Sequence, residues 1–138
     1  MLELLAPAGN LDAVIAAVQN GADAVYMGFG DGFNARRSAD NFTRESFAKA
    51  VRYCHIRGCK VYVTLNTLVG DREMDAAAAL AQQASDAGAD AILVQDLGLA
   101  RVLRAALPDI PLHASTQMSI HNLAGVEAAA EMGITRAV

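Results

Sequence analysis

The sequence predicts an α/β fold with a parallel sheet, built from five βα units and a sixth strand. Short runs of aliphatic and β-branched residues alternate with alanine-rich stretches of helical spacing, and Gly or Pro separates them. The strand runs are apolar on both faces, which is typical of a parallel sheet covered by helices. Hydrophobic residues make up 54% of the 138 residues, which excludes a disordered chain.

The predicted strands recur at regular intervals and share a sequence pattern. Residues 20–26 (NGADAVY) match residues 87–93 (AGADAIL), and residues 132–138 are a weaker echo. In each, a helix-stopping glycine is followed by one edge residue and an apolar run. This repetition indicates a series of βα units. The predicted strands are Leu2–Ala6, Ala22–Met27, Lys60–Leu65, Ala89–Val94, Pro111–Ser115 and Ile134–Val138.

Each predicted helix ends at Gly or Pro, and several begin at a capping side chain. Asn10 precedes the first helix, Thr43 precedes the second, and Asn122 precedes the last. Apolar residues in the first helix recur with the spacing i, i+3, i+4, i+7 until Asn20-Gly21 ends it. The other predicted helices are Thr43–Gly58, Met74–Ala87, Leu97–Leu107 and Leu123–Met132.

Two architectures fit this alternation: a doubly wound open sheet and a stretch of a (β/α)8 barrel. A complete barrel needs about 250 residues. Residues 1–138 would therefore form a single domain that is the N-terminal portion of such a barrel. A partial barrel leaves strand edges and an apolar interior uncovered. We therefore expect either a truncated piece of a longer protein or a homo-oligomeric or domain-swapped assembly.

Composition excludes several classes of function. The net charge of −4 argues against broad electrostatic binding of nucleic acid. Two cysteines, Cys54 and Cys59, cannot form a disulfide framework or a four-thiolate metal site. The sequence contains no signal-peptide pattern and no apolar stretch long enough to span a membrane. A cytoplasmic protein without a membrane partner is the expectation.

Polar side chains gather after the predicted strands, at the ends where parallel α/β folds bind ligands. Asp96 could act as a general base or orient an imidazole, and it could equally cap the helix that begins at Leu97. His113, Ser115 and Gln117 share one face of a strand, where three polar groups indicate a polar pocket. Ser115 lacks the Gly-x-Ser-x-Gly context of a hydrolase nucleophile. The predicted catalytic residues are Asp96 and His113.

The predicted substrate-binding residues are amides, a hydroxyl and a guanidinium. Arg36 could hold a carboxylate or phosphate, or lie on the surface paired with Asp31 or Asp40. Asn66 and Gln95 could position a substrate or hydrogen-bond neighbouring strand ends. An arginine among amides favours a small anionic ligand over a long neutral peptide. The predicted set, which includes no metal ligand, is Asn34, Arg36, Asn66, Gln95, Ser115 and Gln117.

Five blocks of the sequence carry a family resemblance: residues 4–10 (LLAPAGN), 21–28 (GADAVYMG), 33–37 (FNARR), 41–42 (NF) and 113–117 (HASTQ). Together they resemble the N-terminal half of the U32 peptidase family, the collagenase-like proteases. The resemblance implies a TIM-type barrel and a hydrolase. It also implies alternatives, because several members act in hydroxylation of tRNA, of ribosomal RNA or of a quinone ring, and some use prephenate.

Those members resemble one another in a downstream cysteine set that holds an iron–sulfur cluster, and these 138 residues do not contain it. We therefore expect no cofactor in this chain, an iron–sulfur cluster in full-length relatives, and no proteolysis by this segment alone. RNA is expected as a partner only for the full-length family role, and a peptide or small anion otherwise. A non-catalytic assembly or scaffold domain is the third alternative.

Overall fold

The computed structural model describes residues 2–35 and 41–138, and within these ranges six strands alternate with five α-helices. The strands are β1 (Leu5–Pro7), β2 (Ala24–Met27), β3 (Lys60–Leu65), β4 (Ala91–Val94), β5 (Leu112–Ala114) and β6 (Ile134–Ala137). The helices are α1 (Leu11–Gln19), α2 (Arg44–His55), α3 (Met74–Asp86), α4 (Leu97–Ala106) and α5 (Leu123–Glu131), with a 3-10 turn at Thr116–Met118. The predicted α/β fold is confirmed.

The strands form one sheet in the order β1-β2-β3-β4-β5-β6, and every neighbouring pair is parallel. A doubly wound sheet would reverse its strand order at a switch point. The sequential order instead belongs to a (β/α) barrel, in which each strand adds to the same side of the last. The chain therefore forms part of a TIM-type barrel.

Alternate residues of the central strands β2, β3 and β4 enter two different cores. Val61 and Val63 of β3 belong to the larger core, which packs the outer face of the sheet against the helices. Tyr62, between them, belongs to a smaller cluster on the inner face with Ala91 and Leu93 of β4. Because both faces of the central strands are buried, polar side chains in the middle of these strands have little access to water.

The repeated aspartates bind neighbouring strands to one another. The Oδ2 atom of Asp23 accepts a hydrogen bond from the backbone N–H of Leu4 at 2.7 Å, just before β1. The Oδ2 atom of Asp90 accepts one from the N–H of Val61 in β3, also at 2.7 Å. Each carboxylate thus satisfies a backbone donor at the start of the preceding strand in the sheet, which explains why the two segments match in sequence.

Residues 132–138, the third copy of the repeated segment, have the same backbone geometry with a different side chain at the aspartate position. Gly21, Gly88 and Gly133 each end a helix with a positive φ, of 89°, 98° and 79°, a conformation that glycine adopts at little cost. Thr135 follows the third glycine at the aspartate position, and its hydroxyl donates to the carbonyl of Leu112 in β5 at 3.2 Å. A side chain two residues after the glycine therefore contacts the preceding strand in all three.

Several predicted strand boundaries differ from the structure by one to three residues, and two of them have a clear physical reason. The first strand begins at Leu5 and not at Leu2, whose side chain is 97% exposed, because pairing with β2 starts beside Leu4. The fifth strand ends before Ser115, because the Ser115 side chain accepts from the N–H of Gln117 and starts the 3-10 turn. Both differences lie at strand ends, where a capping side chain or a missing neighbour decides the limit.

Replacing Asp90 by alanine is expected to lower the free energy of unfolding by about 1–3 kcal/mol, because the buried N–H of Val61 loses its acceptor and the His55 ring loses its contact with the same carboxylate oxygen. Urea titration followed by circular dichroism measures this change. Asp86→Ala is the matched control, since Asp86 is exposed and its side chain accepts only from Gln82 at the surface; its change should stay within about 0.5 kcal/mol. Equal stabilities for the two variants would contradict the role given to Asp90.

Candidate functional site

A cavity of about 260 Å³ opens at the carboxyl ends of the parallel strands. Five strands contribute to its lining, through Pro7, Tyr26, Thr64, Leu93 and, directly after β5, Ser115. Its lining combines apolar side chains with amides and hydroxyls. This is the end of the barrel at which (β/α) enzymes carry their active sites.

The side-chain amide of Asn66 connects two loops of the rim. Its Oδ1 atom accepts from the backbone N–H of Ala35, in the loop after β2, at 3.1 Å. Its Nδ2 atom donates to the hydroxyl of Ser115, after β5, also at 3.1 Å. Ser115 is 3% exposed and its Oγ atom also faces the N–H of Gln117 at 3.4 Å. Asn66 therefore positions both loops beside the cavity.

A second amide pair lies directly over a glycine of the lining. The Nδ2 atom of Asn34 donates to the Oδ1 atom of Asn41 at 3.2 Å. A Cβ atom on Gly28 would lie 2.1 Å from that Oδ1 and 2.4 Å from that Nδ2, closer than real atoms approach. The bare backbone of Gly28 thus allows the loop that follows β2 to fold back onto the strand end.

His113 lies on the inner face of the sheet, outside the lining of the cavity. It pairs in register with Leu93 and is 6% exposed. Its ring packs edge to face on Tyr62, with 4.9 Å between centroids and an interplanar angle of 82°. Burial, with a further contribution from the charge of Arg136, lowers the pKa of His113 to about 4. The imidazole is therefore neutral at neutral pH.

A charged network that sequence reasoning missed lies beside His113. Arg136 of β6 binds the carboxylate of Glu3 through both terminal nitrogens, and the Nη2–Oε2 distance is 3.3 Å. The hydroxyl of Tyr62 donates to the same carboxylate at 3.0 Å. The Arg136 guanidinium holds the pKa of the Glu3 carboxyl below its usual range. Charged residues inside predicted strands were the available signal, but their partners lie 133 positions apart.

Asp96 caps a helix. Its Oδ1 atom accepts from the N–H of Leu99 in the first turn of α4 at 2.8 Å, and its Oδ2 atom faces the N–H of Val69 at 3.4 Å. These contacts are the ones expected of a helix-capping residue, one of the two roles predicted for Asp96. Gln95 is half-buried and, like Asp96, is not part of the cavity lining.

The structure brings four of the predicted substrate-binding residues to one cavity: Asn34, Asn66, Ser115 and Gln117. It does not bring Asp96 and His113 together with them, so the catalytic roles of these two residues stay predictions. Arg36 lies outside the described residues.

A family model with the description "Peptidase family U32" matches residues 9–138. The chain belongs to this family. The structure of the U32 peptidase Mk0906 superposes with a TM-score of 0.77 at 16% identity, over 99% of this chain and 57% of that one. The HMG-CoA lyase of Bacillus subtilis gives a TM-score of 0.67 at 19% identity, over 96% and 51%. At these low sequence identities, the structural similarity establishes the fold alone.

Curated relatives of this U32 chain carry names of two kinds. The 23S rRNA 5-hydroxycytidine C2501 synthase of Escherichia coli K12 is 40% identical over 99% of this chain and 20% of its own length. The tRNA hydroxylation protein P1 of Bacillus subtilis is 39% identical over 99% and 32%. The collagenase of Porphyromonas gingivalis is 36% identical over 87% and 28%. The chain thus spans between one fifth and one third of the length of these relatives.

The two cysteines of this U32 chain are buried thiols. Cys54 and Cys59 are 0% and 2% exposed in the core between sheet and helices. Burial raises the pKa of both thiols, that of Cys54 to about 12. Within residues 2–35 and 41–138, no three His, Cys, Asp or Glu side chains are grouped to hold a metal ion. No helix of these same ranges is long and apolar enough to cross a membrane.

Asn66→Ala is expected to accelerate hydrogen exchange at the Ala35 amide by roughly tenfold, the equivalent of one hydrogen bond of about 1.4 kcal/mol. Exchange measured by nuclear magnetic resonance reports this rate residue by residue. Asn20→Ala is the control, because Asn20 is also an amide but bonds only within its own helix end, to the carbonyl of Ala16. An unchanged rate at Ala35 in the first variant would show that Asn66 does not hold this loop.

The stability of the protein is expected to fall as the pH drops from about 6.5 to about 4, by an amount on the order of 3 kcal/mol from His113. In this pH range the His113 imidazole is protonated in the unfolded protein but stays neutral in the folded protein. Acid therefore favours unfolding. Urea titrations at pH 7 and pH 5 measure the difference. His113→Phe should flatten this dependence, and His121→Ala, at an exposed site, should leave it intact. An equal slope in all three proteins would contradict the assignment.

Proposed function

We propose that the protein carrying this chain takes part in the hydroxylation of RNA, and that the chain supplies one wall of its substrate cavity. One observation carries the proposal: 99% of the chain matches an rRNA hydroxycytidine synthase and a tRNA hydroxylation protein, at 40% and 39% identity. This span includes the cavity and the loops that Asn66 joins. We place the role in the cytoplasm, where ribosomal and transfer RNA are found.

The described residues of the cavity do not form the arrangement of a Ser–His hydrolase. A hydrolase of the Ser–His type needs a hydroxyl within hydrogen-bond reach of an imidazole. Here the Ser115 hydroxyl bonds to Asn66, and the His113 ring packs on Tyr62 one step deeper in the barrel. Peptidase activity is the second candidate, which the 36% identity to a collagenase favours.

Deleting the gene in cells that naturally carry it should abolish a hydroxylated nucleoside. The measurement is mass spectrometry of nucleosides from separately purified ribosomal and transfer RNA. Returning the whole gene on a plasmid should restore the signal. Unchanged hydroxylated nucleosides in both RNA fractions would contradict the proposal. Cleavage of gelatin by the purified whole protein would favour the second candidate instead.

A further inference from the structure

The lining of the cavity carries an unusual balance of groups for its position in a barrel. Among the residues that the structure describes, none of its side chains is charged. The lining combines apolar side chains such as Leu5 and Leu93 with the polar side chains of Asn66, Ser115 and Gln117. A neutral ligand with a flat apolar body and a polar edge fits this combination.

The part of the cavity that this chain forms has a volume of about 260 Å³. A single ring system fits within it.

Tyr26 supplies an aromatic ring to the lining. It lies on the inner face of β2, is half-buried, and packs against the inner cluster that contains Tyr62 and Leu93. In register it pairs with Pro7 of β1, which also lines the cavity. Packing on one side keeps the Tyr26 side chain in place beside the cavity, and single-stranded RNA is commonly recognised by bases that stack on such rings.

Gln117 offers hydrogen bonds at the rim. It is exposed, and its backbone is held by the 3-10 turn that Ser115 starts. A glutamine side chain carries both donors and an acceptor, and amides of this kind bind the edges of nucleobases. Because Gln117 is exposed and its backbone is anchored, its amide is available to a ligand that enters the cavity from solvent.

We propose that this cavity holds a single unstacked RNA base, with the Tyr26 ring against the face of the base and Gln117 at its polar edge. The inference rests on the proposed function and adds to it the class of ligand and the two residues that bind it. A base must leave its stack to enter such a pocket, so single-stranded or loop RNA is the expected substrate region.

The test measures binding of the whole protein to a fluorescent RNA pentanucleotide with cytidine at its centre, and to the same strand with an abasic centre. Tyr26→Leu should weaken binding of the first strand by about fivefold to a hundredfold, the range found for base–aromatic stacking. Tyr26→Phe keeps the ring and should bind nearly as well as the unaltered protein. Tyr53→Leu, on α2 outside the cavity lining, is the matched control and should change nothing.

The abasic strand separates stacking from a structural effect. If Tyr26 contacts the base, Tyr26→Leu and the abasic centre should each weaken binding, and together they should lose little more than either alone. Gln117→Ala should weaken binding of the cytidine strand and leave the abasic strand unaffected. This variant carries the test if circular dichroism shows that Tyr26→Leu does not fold.

Equal binding of the two strands by the unaltered protein would overturn the inference. So would losses from Tyr26→Leu that are the same for both strands, or losses from Tyr26→Phe as large as those from Tyr26→Leu. Failure of the proposed function has a different signature, the persistence of hydroxylated nucleosides after gene deletion. If those nucleosides vanish while the binding results are negative, RNA hydroxylation stands and the base pocket does not.

Discussion

Coverage of both faces of the parallel sheet is the constraint on which the rest of this molecule depends. Helices cover the outer face, and the inner face buries Tyr62, Ala91 and Leu93 together. Polar chemistry is therefore confined to the strand ends or must be neutralised inside. Both solutions occur. The cavity lies at the carboxyl ends, and the Glu3–Arg136 pair with Tyr62 satisfies its own charges within the barrel.

The cavity depends on contacts between loops more than on any one strand. Asn66 holds Ala35 on one side and Ser115 on the other, and Gly28 makes room for the Asn34–Asn41 pair. These side chains arise from three different βα units. Amides are suited to this work, because each provides a donor and an acceptor without the desolvation cost of a charge. The same residues can therefore shape the rim and present hydrogen bonds to a ligand.

Most of the fold could be predicted from the sequence, because its signals are local. Helix-stopping glycines and apolar runs placed all six strands and five helices, with errors only at ends such as Leu2 and Ser115. The choice between an open sheet and a barrel needed the strand order, which periodicity does not contain, and family resemblance supplied it. In the site, amides after the strands were found, since strand ends converge in any parallel sheet. It was harder to predict from the sequence which contacts each polar residue makes. Asp96 serves its own helix, and the partner of Glu3 is 133 positions away.

The sequential strand order also bears on how the chain reaches this structure. Each strand pairs with the one that precedes it along the chain, and the side chains of Asp23, Asp90 and Thr135 each reach back to the strand before them. Synthesis from the N-terminus therefore releases each strand when its partner is already outside the ribosome. Within these six strands, no strand pair depends on a later segment. The contact of Glu3 with Arg136 spans the two ends of the sheet, and it forms only after the sixth strand has emerged.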